Sequence, residues 1–204
     1  MQPTGVLHLD FAIIHKPKLH NSNNGDAYFI SQDAPWFLMV ADGLGAGDKA
    51  KEAANIAVTL AKDFCLKPGC QRRECLPVFL TTCHQKMKRS RGAAIAGVVI
   101  DKTEEILSFC GIGNIRLLLA GGKHKSVCCQ PGIVGVKIPR RISITELKTT
   151  PYVTGFLFSD GISVRSVLRA AQDPHRPLPV LAQEIEVLNG NADDQTLIVF
   201  SLYE

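Results

Sequence analysis

Residues 36–47 run Trp36-Phe37-Leu38-Met39-Val40-Ala41-Asp42-Gly43-Leu44-Gly45-Ala46-Gly47. An unbroken apolar run that stops at one acid and three alternating glycines predicts a buried strand delivering a carboxylate to its tip. The glycines predict a turn where the backbone bends sharply or approaches something closely. An acid on a solvated loop would not need six apolar residues to aim it. Asp42 is therefore the first fixed point of a candidate site.

Beyond this strand the pattern changes period. Ala50, Ala53, Ala54, Ala57, Val58, Ala61 and Phe64 recur at three- and four-residue steps, predicting a helix over 48–64 whose small apolar stripe sits close against a sheet. Lys67-Pro68-Gly69 interrupts it. A second helix carries Leu76, Phe79, Leu80, Cys83 and Met87 inward, with Pro77 tolerated only in its first turn. Two successive helices argue against a repeating βαβ plan. Before the opening stretch, residues 7–16 and 27–31 read as strands around the polar turn 20–25. After the helices, 93–100, 106–110, 115–120, 126–129, 142–147, 152–159 and 195–202 read as strands. Gly121-Gly122 reads as a hairpin turn, and further helices fall near 164–171 and 180–188. The order predicts one α+β layered domain over residues 1–204 with largely antiparallel sheets.

Composition narrows the class. Of 204 residues, 46% are hydrophobic and 21% charged, which is ordinary for a globular chain and argues against disorder. The net charge is +4, and the basic residues are dispersed apart from Lys86-Met87-Lys88-Arg89-Ser90-Arg91, so no nucleic-acid partner is expected. That basic run reads as a solvated helix end whose cations oppose the helix dipole. No apolar segment approaches twenty residues, so no membrane span is expected. Met1-Gln2-Pro3-Thr4-Gly5 lacks the pattern of a secretory leader, and the seven cysteines are odd in number, so a cytoplasmic chain with reduced thiols is expected. Neither Cys65, Cys70 and Cys75 nor the adjacent Cys128-Cys129 has zinc-site spacing.

Asp42 has counterparts. Asp160-Gly161 closes the predicted strand 152–159, and Asp193-Asp194 opens the strand 195–202. If these strands lie side by side, Asp42, Asp160 and Asp193 converge at one rim. Carboxylates about 4 Å apart repel by roughly 4 kcal/mol per pair at an effective dielectric near 20. A converged set therefore calls for a divalent cation, and all-oxygen ligation suits Mg²⁺ or Mn²⁺ rather than zinc. Gly43 has no side chain to keep its carbonyl from a metal. Asp26, following Asn24-Gly25, is a fourth acid of the same kind. Taken singly, each acid is also an ordinary turn residue. The set is what suggests a site.

Asn24-Gly25-Asp26, Ala41-Asp42-Gly43-Leu44-Gly45-Ala46-Gly47, Arg91-Gly92-Ala93-Ala94, Gly113-Asn114-Ile115-Arg116, Ser159-Asp160-Gly161 and Asp193-Asp194-Gln195-Thr196 occur in the order found in metal-dependent protein phosphatases of the 2C type. The chain resembles that family over nearly its whole length, and its shortness and Asp-Gly-Leu-Gly-x-Gly pattern are similar to the compact bacterial branch. The resemblance implies a four-layer α-β-β-α sandwich, two sheets flanked by helices, with two Mn²⁺ or Mg²⁺ ions at one end. It implies Asp42 as bridging ligand, the Gly43 carbonyl on the second ion, Asp160 and Asp193 on the first, and Asp26 and Asp194 in the outer shell. The implied reaction is hydrolysis of phosphoserine or phosphothreonine in a protein by a water that the metals acidify. The implied partner is a phosphorylated STAS-domain protein of a bacterial stress-signalling complex, or stressosome. A monomer is expected.

Two departures from the family pattern stand out. Many relatives place a phosphate-holding arginine five residues before Asp26, where this chain has Asn21. Eukaryotic members have a histidine after Asp-Gly as acid for the leaving group, where this chain has Leu44. His20, Asn21 and Lys18 are the nearby candidates for phosphate, and Arg116 is assigned to packing or structural pairing. Two rival readings accompany this one. Gly45-Ala46-Gly47-Asp48-Lys49-Ala50 fits a loose dinucleotide-binding fingerprint, but Asp42 and Asp48 set negative charge where a pyrophosphate needs positive potential. A catalytically weak or inactive phosphatase-fold module that binds a signalling partner is the second.

Overall fold

The computed structural model describes residues 8–19, 23–66, 72–101, 103–149, 154–190 and 192–203. Among them the strands are β1 (His8–Lys16), β2 (Asp26–Ile30), β3 (Trp36–Gly43), β4 (Ala93–Asp101), β5 (Ile106–Ile112), β6 (Arg116–Ala120), β7 (Lys125–Cys128), β8 (Thr145–Lys148), β9 (Thr154–Phe158) and β10 (Gln195–Tyr203). The helices are α1 (Asp48–Leu66), α2 (Leu76–Lys86), α3 (Val164–Ala170) and α4 (Leu178–Asn189). One sheet runs β1-β10-β9-β6-β7 and the other β2-β3-β4-β5-β8, with antiparallel pairing between all neighbouring strands.

Side-chain alternation along β3 explains both its unbroken apolar run and the layering. Phe37, Met39 and Ala41 pack with Ala53, Ala54, Ala57, Ala61, Phe79 and Leu80 of α1 and α2. Trp36, Leu38 and Val40 pack the other way, against Leu117, Leu157, Ile198 and Phe200 of the opposite sheet. A strand covered on both faces has no solvent face to mark with polar residues. Behind the second sheet, Phe156, Phe158, Leu197 and Val199 meet Val167, Leu181 and Ile185 of α3 and α4. Three apolar interfaces separate four layers, α-β-β-α, as the resemblance implied. The alanine stripe allows α1 to lie so close that a Cβ added to Gly43 would come within 2.0 Å of the Ala50 carbonyl oxygen.

Most expected elements are present, with shifted ends. The predicted strand 142–147 shrinks to β8, Thr145–Lys148, at the edge of its sheet. The turn at Gly121-Gly122 does join a hairpin, β6 to β7, with Leu119 opposite Lys125. The helix before the basic run ends at Lys86, so Arg91 belongs to the loop entering β4 rather than to a helix end. The antiparallel ladders, and a second helix where a parallel strand would have to follow, remove the dinucleotide reading. Among the described residues, no helix is long and apolar enough to cross a membrane.

Candidate active site

Asp26 and Asp42 stand directly opposite each other in the β2–β3 ladder. By alternation both belong to the faces that look across to the other sheet, the series of Tyr28 and Ile30 on β2 and of Leu38 and Val40 on β3. Across the gap, Asp160 follows the end of β9 and Asp193 and Asp194 precede the start of β10, the adjacent antiparallel strand. Chain reversal puts the end of one strand beside the start of the next. All five acids therefore meet at one rim of the sandwich, where they line a cavity of about 390 Å³ with Leu44, Gly45, Ala94, Gly113, Asn114, Gly132 and Ile133. No lysine, arginine or histidine is among these lining residues.

The backbone is cut to let the two sheets' ends close on each other. A Cβ on Gly161 would come 1.8 Å from the Asp194 carbonyl oxygen, and one on Gly25 2.8 Å from the Asp194 carboxylate. The Gly43 N–H donates to the Gly25 carbonyl, fixing the end of β3 beside the start of β2. Asn24 accepts the Asp26 N–H through its side-chain oxygen at 2.9 Å, a turn that opens β2 on Asp26.

Each acid has a distinct setting. The Asp26 carboxylate is buried and accepts the Ser159 hydroxyl at 2.6 Å, and that hydroxyl in turn accepts the Thr196 N–H at 3.0 Å. Burial pushes the Asp26 carboxyl up to about 6, against the opposing hydrogen bonds from Ser159 and Thr196. Asp42 is pushed up to about 8, first by burial and then by the charges of Asp26 and Asp160, with Asn114 pulling the other way. The Asn114 amide donates to Asp160 at 2.7 Å and reaches Asp42 at 3.5 Å, so one pair of N–H donors spans carboxylates from different sheets. Asp193 is exposed and accepts the N–H of Asp194. Asp194 turns inward, one oxygen taking the Lys18 N–H and the other the Gly25 N–H, both at 2.9 Å.

The structure thus brings Asp42, Asp160, Asp193, Asp26 and Asp194 together, with Gly43 at the end of the same strand as Asp42. His20 and Asn21 lie outside the described residues. Lys18 meets the cluster through its backbone N–H. Arg116 is exposed on β6, opposite Phe158 and Cys128. Leu44, about half exposed at 48%, lines the cavity where eukaryotic relatives have an acid. Sequence reasoning gave no role to Ser159 or Asn114. The signal was present for Asn114, which follows buried β5 and Gly113 much as Asp160 follows buried β9.

Among the described residues, no three His, Cys, Asp or Glu side chains stand, as placed, in position to enclose an ion. The donor set nevertheless fits hard divalent cations. It is oxygen-only, rich in carboxylates and, among the described residues, without a basic lining side chain, and Asp42 is raised first by burial and then by the neighbouring acids. The Asn114 amide donates to both Asp160 and Asp42 and so offers these two carboxylates a neutral donor only.

This architecture, two five-stranded antiparallel sheets between helix pairs with acids gathered at one rim, is that of the metal-dependent protein phosphatases of the 2C type, and the chain resembles their compact bacterial branch. No family model matches the sequence. The phosphoserine phosphatase RsbX of Bacillus subtilis strain 168 is 27% identical over 174 residues, covering 81% of this chain and 82% of RsbX. A crystal structure of RsbX in complex with magnesium superposes with a TM-score of 0.82 at 22% identity, over 96% of each chain. A chain from work on the bacterial stressosome, a modular system adapted to control secondary-messenger signalling, gives a TM-score of 0.82 at 23% identity, over 95% of this chain and 98% of that one. At such identities the structural likenesses establish the fold.

Proposed function

We propose that the chain is a divalent-metal-dependent serine/threonine phosphoprotein phosphatase that acts on a regulatory, STAS-domain protein in a bacterial stress-signalling complex. The observation that carries this reading is the convergence of five carboxylates from both sheets on one cavity that, among the described residues, is lined by no basic side chain. The likeness to RsbX, a phosphoserine phosphatase, and to a stressosome chain supports phosphoserine hydrolysis in a stress-signalling setting, and the cytoplasmic location is part of the same proposal. In this reading Asp42, the Gly43 carbonyl, Asp160 and Asp193 hold two Mn²⁺ or Mg²⁺ ions, and Asp26 and Asp194 support them from behind. When bound, such ions supply Lewis acidity to water and to the phosphoryl oxygens.

The chain's own residues do the positioning. Ser159 fixes the Asp26 carboxylate, and Asn114 holds Asp42 and Asp160 at a set separation. Asp194 ties the backbone at Lys18 and Gly25 to the strand that carries Asp193. Leu44 has no proton to give to the departing serine or threonine oxygen. The cavity opens at the sandwich rim, where a folded phosphoprotein has access.

Leu44, and the lack of a basic lining residue among the described residues, favour one other reading, a weak or inactive module that binds its partner without turnover. Phosphate release from phosphorylated STAS-domain proteins, with Mn²⁺ or with EDTA, and with Asp42→Asn, separates the two. Metal-dependent release lost in Asp42→Asn supports the phosphatase. Release that survives complete chelation removes the mechanism, and binding without release selects the module.

A further inference from the structure

A phosphate monoester is a dianion, and among the described residues every charged side chain lining the cavity is an acid. Some group at the mouth has to receive the incoming phosphoryl oxygens, and the position where many relatives carry an arginine holds Asn21. The glycine loop after β3 points to a different source. Gly45 lines the cavity, and a Cβ built on it would lie 2.7 Å from Nη1 and 3.8 Å from Cζ of Arg91. The Arg91 guanidinium is therefore laid directly over Gly45, in space that any other residue at 45 would fill.

The mounting of Arg91 is rigid. Ser90 hydrogen-bonds the Met87 carbonyl through its hydroxyl and accepts the Gly92 N–H. Gly92 holds φ at +84°, and a Cβ there would come 2.6 Å from the Val134 carbonyl oxygen. The Gly92 carbonyl accepts the Leu44 N–H at 2.9 Å, tying the Arg91 loop to the glycine loop at the cavity edge. Yet the side chain so mounted is exposed and, among the described residues, makes no ion pair. Arg73, Arg169 and Arg176, by contrast, are paired with glutamates. A guanidinium laid over the glycine loop at the cavity edge and left without an ion pair has its fork of donors free for a planar or tetrahedral oxyanion.

Resting on the phosphatase reading, we infer that Arg91 is the phosphate-binding residue of this site. It receives the phosphoryl oxygens of a phosphoserine or phosphothreonine monoester across Gly45. Arg91 belongs to a different chain segment from the loop preceding Asp26.

The test uses Arg91→Ala and Arg91→Lys in the full chain. The readouts are KM and kcat for para-nitrophenyl phosphate, competitive inhibition by inorganic phosphate, and thermal melting. Loss of a charge-assisted, bidentate contact is expected to raise KM and the inorganic-phosphate inhibition constant together by roughly 10- to 100-fold in Arg91→Ala. Lysine should recover part of both, with kcat and melting little changed. A guanidinium that only packs on the loop would lower melting and leave phosphate inhibition unmoved, which overturns the inference. One that meets only carboxylates of a protein substrate would leave para-nitrophenyl phosphate unaffected, which also overturns it. If the wild-type chain hydrolyses no phosphoester, the phosphatase reading fails by itself. Titration of inorganic phosphate followed by ³¹P NMR in Mg²⁺ then still tests Arg91, because weaker binding by Arg91→Ala supports it, and equal binding or none by the wild type overturns it.

Discussion

Replacing Asp42 by asparagine should stabilise the metal-free protein while disabling it. The Asp42 carboxyl stands at about 8 in the fold against an ordinary 3.8. Each unit of such a rise disfavours the charged form by about 1.36 kcal/mol, so the full rise corresponds to roughly 6 kcal/mol. Burial is the leading cause and the Asp26 and Asp160 charges come next, so that figure belongs to a coupled cluster. About 2–4 kcal/mol is expected for one residue once its neighbours relax. The sign follows from proton counting. Between about pH 4 and pH 8 the folded chain keeps a proton that the unfolded chain releases, so stability falls as pH rises through that window and levels off above it. The asparagine amide would carry no such proton, and its oxygen can still accept the Asn114 amide. In EDTA, Asp42→Asn should match the wild type near pH 4 and exceed it near pH 8, where 2–4 kcal/mol is roughly 5–15 °C of melting temperature for a chain this size. Circular-dichroism melts across that range read the gap directly. A gap that does not widen with pH, or a variant less stable at pH 8, would refute the reasoning about a charge-crowded cavity.

Two further outcomes follow from the packing around the site. Gly161→Ala drives a Cβ into the Asp194 carbonyl, which no rotamer change relieves, so the β9 and β10 ends must part. A cost of about 1–3 kcal/mol in urea unfolding is expected, with loss of any melting shift on adding Mg²⁺. Ser159→Ala removes the donor to Asp26 and the acceptor of the Thr196 N–H, again costing about 1–3 kcal/mol. Because that hydroxyl favours the charged Asp26, the penalty should grow as pH rises through about 6, and denaturant titrations at pH 5 and 7.5 would show it.

Much of the architecture could be read from residue pattern because it is set by local periodicity. The alanines of α1, the apolar run of β3 and the paired helices each declare which faces are buried, and those faces meet as expected. The acids were legible because a buried strand that ends on a carboxylate aims it, and three such strands aim at one rim. What pattern could not reveal depends on partners far apart in the chain. That Asp26 sits opposite Asp42 is a matter of register between β2 and β3. That Ser159 grips Asp26, that Asn114 spans Asp42 and Asp160, and that Asp194 spends both oxygens on backbone N–H groups are contacts between segments with no shared periodicity. An open carbonyl is the reason for Gly43 that sequence suggests, and the structure adds the crowding of α1 as a separate one. The basic run misled at Arg91, since composition cannot say that a chain leaves its helix at Lys86 and turns one arginine back toward a glycine.

The pairing of β1 with β10, His8 opposite Tyr203, ties the earliest described strand to the latest. A nascent chain that has emerged only as far as α4 holds Asp26 and Asp42 but neither Asp193 nor the strand that seats β1. Such long-range closure comes late in folding. Synthesis itself thus acts as a timer, and a chain cut short before β10 would lack Asp193, Asp194 and the strand on which β1 pairs.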